Sequence, residues 1–221
     1  MRKLLFIALT GLTLSIACTR SLPEDKGCME RDIIRVTDHA IAPSDVAVAN
    51  ELFQANRLDN SHFRYLRYLH DSVQTYYPPF AKIDSKGFVA LQYTNGLPIF
   101  TGTVSFVFHN GIFTYQSGRL THGTSLNAPP ILTLGQLRRL FLDDARKFDY
   151  EGDRFKDSCL KAEFGYYNIP AKPGDTTENL TMAWRVTLKN NDYGPYHEYP
   201  LAFYMNNGKR IYYDNGIRTI Q

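Results

Sequence analysis

The chain has 221 residues, with 25 Lys and Arg against 22 Asp and Glu and a formal net charge of +3, enough for one larger domain or two small ones. It contains no Lys/Arg run and no basic stripe, so the charge pattern gives no support to a nucleic-acid partner. Fifteen Tyr, fourteen Phe and many β-branched residues favour sheet over helix. Such richness reads first as a sheet core, with a sugar- or peptide-stacking face as the alternative.

The N-terminus comes first in chain order. Arg2 and Lys3 precede an apolar run from Leu4 to Leu14, and the segment closes on Ser15-Ile16-Ala17-Cys18. A basic start, a short apolar core and a small residue before the cleavage point make a secretory signal. The run falls short of the ~20 residues that a membrane-spanning helix needs. Cys18 turns the signal into one that resembles the lipobox of bacterial lipoproteins, with Ser15 where that pattern prefers Leu. The expectation is cleavage after residue 17 and a diacylglyceryl thioether on Cys18. Arg2 and Lys3 leave with the signal, so the 25 basic residues fall to 23 against 22 acidic and the mature chain is close to neutral. Residues 18–42 read as a tether, polar at first with Pro23 and Gly27, and with Ile33–Val36 as a short strand docking it. If Cys18 carries lipid, Cys28 and Cys159 remain as an even pair in an oxidising compartment. The sequence favours joining them, at roughly 4–5 kcal/mol in the chain-entropy model. Two free thiols are the alternative.

Residues 43–126 form a first unit. Val46, Ala49, Leu52 and Phe53 share one helix face, with Ser44 or Asp45 as N-cap and an end near Asn56. Strands follow at 61–69 and 88–93, separated by the breaker Tyr77-Pro78-Pro79-Phe80. After Asn95-Gly96-Leu97-Pro98, the alternating runs 103–108 and 112–115 flank His109-Asn110-Gly111. Asn-Gly between such runs is a hairpin signature, because a type I′ turn needs positive φ at both central residues.

Residues 127–221 form a second unit on the same plan. Leu134, Leu137 and Phe141 mark a helix over 132–142 with Thr133 as cap, and strands are expected at 161–167, 182–188, 201–205 and 210–213. Asn207-Gly208 should turn the last pair, with Gly208, like Gly111, at positive φ. The two halves echo each other: Phe106-Val107-Phe108-His109-Asn110-Gly111 against Phe203-Tyr204-Met205-Asn206-Asn207-Gly208. The fold expected is α+β, two units that each pack a helix on an antiparallel meander sheet, with Trp184 in the second core.

The run Gln92–Phe100, then Gly102–Phe106 and Tyr115-Gln116-Ser117-Gly118, resembles the propeptide segment of thermolysin- and fungalysin-type metalloproteases. The second half, with Ala183-Trp184-Arg185-Val186 and the turn Asn207-Gly208-Lys209, resembles a PepSY domain. The resemblance covers roughly 43–218 and implies cystatin-like units that assist folding of, or inhibit, a protease. No protease domain follows before Gln221, so inhibition in trans is what the analogy implies.

No catalytic constellation emerges. His197-Glu198 has Leu201 where a zinc-protease helix would place its second His. His39, His62, His70, His109, His122 and His197 show no metal-site spacing. Asp143, Asp144, Asp149, Glu151 and Asp153 read as a solvated helix end rather than a calcium loop. No metal or cofactor is expected. The expected function is a lipid-anchored, non-enzymatic binding module for a peptide or protein partner on the bacterial cell envelope, outer membrane included. The alternatives are an envelope hydrolase with a scattered site and a glycan-binding module.

Overall fold

A computed structural model describes residues 27–74, 76, 80–122, 126–170, 172, 177–189 and 200–216. Among the described residues the architecture is α+β: two α-helices, a short 3-10 helix at Gly152–Asp157 and a mixed nine-stranded sheet. In chain order these are β1 (Met29–Asp32), α1 (Pro43–Ala55), β2 (Phe63–Gln74), β3 (Lys82–Thr94), β4 (Leu97–His109), β5 (Ile112–Ser117), α2 (Leu134–Phe148), β6 (Leu160–Asn168), β7 (Leu180–Leu188), β8 (Leu201–Met205) and β9 (Arg210–Asp214). Strand order is β2-β3-β4-β6-β7-β8-β9, with β5 also on β4 and β1 also on β6. Among the described residues no helix is long and apolar enough to cross a membrane.

Two expectations about the sheet are corrected. It is not two wholly antiparallel meanders, because β1 and β4 both run parallel to β6. The tether strand is Met29–Asp32 rather than Ile33–Val36. The physical reason is a long-range covalent tie. Cys28 is bonded to Cys159, which sets Met29 opposite Leu160 and propagates that register through Asp32 and Glu163. The segment expected as tether thus contributes a strand to the sheet from Met29 onward.

The helices start differently. Pro43 takes the first helical position of α1 and Ala42 becomes its N-cap, with no side-chain hydrogen bond. Proline has no N–H to satisfy there, which leaves Ser44 and Asp45 in the first turn instead of capping it. Asn56 ends the helix: its side chain donates to the Leu52 and Gly111 carbonyls and accepts the Phe113 N–H, tying α1 to the β4–β5 turn. In α2, Thr133 and Gln136 form a reciprocal capping box, worth about 1 kcal/mol. The helix runs on past Leu142 to Phe148, with Arg146 and Lys147 in the last turn, where the helix dipole favours cations.

Each helix buries its apolar stripe on its own stretch of sheet. Ala49, Leu52 and Phe53 of α1 pack with Tyr65, Phe88 and Phe106. Leu137, Phe141 and Ala145 of α2 pack with Tyr166, Trp184 and Tyr204. Trp184 is fully buried against Phe164, with ring centroids 4.8 Å apart.

The turns separate into two kinds. Asn110 and Gly111 have φ of 51° and 79°, the expected type I′ geometry. Asn95 and Gly96 (50° and 74°) make a second such turn that joins β3 to β4, where the sequence had suggested only a boundary. Gly208 is at φ 88°, but Asn207 is not at positive φ. That loop closes through Gly208 N–H to the Met205 carbonyl and Met205 N–H to the Lys209 carbonyl. It has the form of a three-residue loop with glycine at the left-handed position, not a two-residue Asn-Gly turn.

Candidate functional site

The residues singled out in the sequence do not converge. Cys18 and His197 lie outside the described residues, as do most of the Tyr77–Phe80 breaker and the loop from 190 to 196. Cys28 and Cys159 are joined, Cα to Cα 4.3 Å, across 131 positions. Beside them, buried Arg138 donates to the carbonyls of Cys28 (2.9 Å) and Ser158 (2.8 Å). This is a structural clasp. Gly111 and Gly208 serve their turns. The acidic stretch is paired with arginine: Asp144 with Arg210 at 2.8 Å, Asp153 with Arg146 at 2.7 Å, and Asp149 and Glu151 with Arg154. Among the described residues no three His, Cys, Asp or Glu gather as a metal site would require.

A broad concavity lies elsewhere, on the sheet face opposite both helices. It is a cleft of about 640 Å³ crossing from β2 to β8. Its cations are Arg64 and Arg67 on β2, Lys161 on β6 and Arg185 on β7. Its apolar surface comes mainly from Leu66, Leu91, Phe100 and Phe203.

Two irregularities build it. In β2 the pairing register slips between Tyr65 and Arg67, so Leu66 is an extra, bulged residue. A bulge re-phases the alternation of a strand. Tyr65 and Tyr68 therefore both reach the α1 core, while Arg64, Leu66 and Arg67 all line the cleft. In β4 the register with β3 breaks between Leu91 and Tyr93, and there Ile99 pairs with Tyr166 of β6. This joins the two halves and puts Phe100 in the cleft, 5.4 Å between ring centroids from Phe203 and 5.7 Å from the Arg185 guanidinium carbon.

Polar groups adjoin the lining residues. Glu163 pairs with Arg185 at 2.9 Å, largely out of water, so removing either partner would strand a buried charge. The Tyr93 hydroxyl donates to the Ile34 carbonyl at 3.3 Å. Burial, reinforced by the negative charge of Glu163, pushes its phenol up to about 12, so it remains protonated at neutral pH. The Lys161 ammonium lies 3.7 Å from Asp32. The described lining offers one hydroxyl, Thr103, and no His, Cys or carboxylate. Such a set can bind an anion with an apolar body. It lacks the nucleophile–base pair that covalent catalysis needs.

The outer edge of β2 is closed at one point. Ala40 N–H donates to the Tyr65 carbonyl at 2.8 Å, and Tyr65 N–H donates to His39 Nδ1 at 3.1 Å. The His39 ring stacks on Tyr65 with centroids 4.9 Å apart.

The sequence carried weak signals of this site. Arginines within the alternating run 63–68 and in Ala183-Trp184-Arg185-Val186 mark polar faces of strands. No local pattern says that strands so far apart share one face. Compared with protein-family models, curated proteins and solved structures, the chain finds no match.

Proposed function

We propose that the chain is a lipid-anchored protein of the bacterial cell envelope whose folded part is a non-enzymatic binding module for a peptide or protein partner. Anchoring rests on the lipobox-like segment ending at Cys18. Acyl chains at ~0.8 kcal/mol per buried methylene make a doubly or triply acylated cysteine a stable anchor, here on the outer membrane. Each half, a helix laid on antiparallel strands and closed by a glycine-turned hairpin, is read as a cystatin-like unit. The first is of propeptide type and the second of PepSY type, arranged to hold a polypeptide in trans.

The observation that carries the reading is the cleft itself, lined by four cations and an apolar surface. It is furnished for recognition. The test has two arms. Cys18→Ser should move the protein from the membrane pellet to the soluble fraction. Crosslinking in the native envelope, together with incubation with thermolysin-type proteases, should give a discrete complex. A pelleting Cys18→Ser protein discards the anchor, and absence of any complex in both incubations discards the binding module.

A further inference from the structure

We infer that the cleft between the halves is the seat of an extended peptide segment bearing carboxylates at both ends of an apolar centre, with Arg64 and Arg67 holding one end. The inference deepens the binding-module reading and rests on it.

The charge distribution comes first. Four cations line the cleft and no carboxylate does among the described residues. The nearest acids are already engaged, Glu163 with Arg185 and Asp32 with Lys161. Arg64 has its Nε on the Asp38 carbonyl, and among the described residues no ion pair includes Arg64 or Arg67. Arg67 is exposed. Two guanidinium forks with no ion-pair partner among the described residues, brought to one side of β2 by the Leu66 bulge, are suited to donate charge-assisted, bidentate bonds to carboxylates.

The dimensions decide what kind of acid fits. Lining residues lie on β2, β3, β4, β6, β7 and β8, which at ~4.8 Å per strand step is about 24 Å across. An extended chain at ~3.3 Å per residue covers that in about seven residues. Arg64 and Arg67 stand at the β2 end, and Arg185 and Lys161, each sharing its charge with Glu163 or Asp32, stand toward the other, with Leu91 and Phe100 between them. A compact anion would satisfy one end and leave the apolar surface wet. A single-headed fatty acid would satisfy one end and the centre. An acidic–apolar–acidic peptide complements all three.

The test uses the full-length chain purified in mild detergent and a fluorescent peptide of about seven residues with Glu at both ends and Leu between, read by anisotropy at low and high salt. The Glu peptide should bind and weaken as salt rises. Its Gln counterpart should bind at least about tenfold more weakly, because each carboxylate–arginine bond lost is a charge-assisted one. Arg67→Glu, at an exposed position, should lower affinity by a similar factor without changing the thermal midpoint, and Arg67→Gln by less. Arg139→Glu, exposed on α2, should change nothing. Equal binding of the Glu and Gln peptides, indifference to Arg67→Glu, or binding of laurate in place of the peptide would each overturn the assignment. An envelope partner still crosslinked to Arg67→Glu as strongly as to the wild type would place binding elsewhere and leave the broader reading standing.

Discussion

The two halves share a plan and differ in how they are held. The first packs α1 on β2–β5 through a cluster of rings: Phe53 lies 4.9 Å from Phe106 and Phe63 lies 5.1 Å from Phe106, edge to face. Its helix has no side-chain cap. The second adds to its core a capping box, a buried arginine on three backbone carbonyls and a disulfide at its first strand. Aromatic burial and hydrogen bonds such as those of Asn56 support the first half, whereas the second adds a disulfide and a buried arginine that tie distant segments. The cleft lies where the two meet, so its geometry depends on both.

The largest test of that contrast is the disulfide. Its loop spans 131 positions and encloses the entire first half, so the chain-entropy model gives roughly 5 kcal/mol as an upper figure. Cys28→Ser with Cys159→Ser should lower the thermal midpoint by many degrees. Hydrogen exchange should show β1 and β6 losing protection first. Equal loss in β2 and β3 would mean that the halves unfold as one unit.

The glycine turns test the contrast at smaller scale. Ala at either positive-φ site costs about 1–2 kcal/mol of backbone strain. A Cβ at Gly111 meets open space, while one at Gly208 sits 3.6 Å from Leu132 and Leu140. Gly111→Ala should therefore destabilise more than Gly208→Ala in denaturant titrations, since only the latter gains apolar contact. The reverse order would show the shorter turn to be the more tolerant one.

The smallest effect is pH dependence confined to the first half. His39 accepts the Tyr65 N–H, and burial, helped by Arg64 and opposed by Asp38, holds its pKa below the ordinary 6.5. The unfolded chain then binds this proton more readily than the fold does. Stability contributed at this site is full above 6.5 and declines as pH falls from 6.5 toward the lower folded value. The difference in melting temperature between wild type and His39→Asn should shrink on acidification. A difference constant between about pH 8 and about pH 5 would remove His39 from the edge contact.

Local chemistry made much of the fold legible. Apolar periodicity located α1, α2 and most strands, because burial of one face imposes 3.6 or 2 residues per repeat. Asn110-Gly111 announced its turn through the positive φ both residues tolerate. Thr133 announced α2 through its capping geometry. Where a competing local effect was at work, the reading slipped: Pro43 displaced Ser44 and Asp45 from the cap, and the tight Asn95-Gly96 hairpin passed as a boundary.

By itself, then, the sequence determined most of the elements and the core-facing residues, all governed by interactions within a few positions. Tertiary structure alone decided the rest. That β4 leaves β3 at Ile99 to pair with β6, and that Cys28 meets Cys159 so that β1 lies parallel to β6, depend on strands distant in the chain. That Arg64 and Arg67 face the same cleft depends on a one-residue bulge at Leu66. A bulge reverses which face every later side chain takes, and alternation read along a single strand carries no mark of where its partner's register will slip.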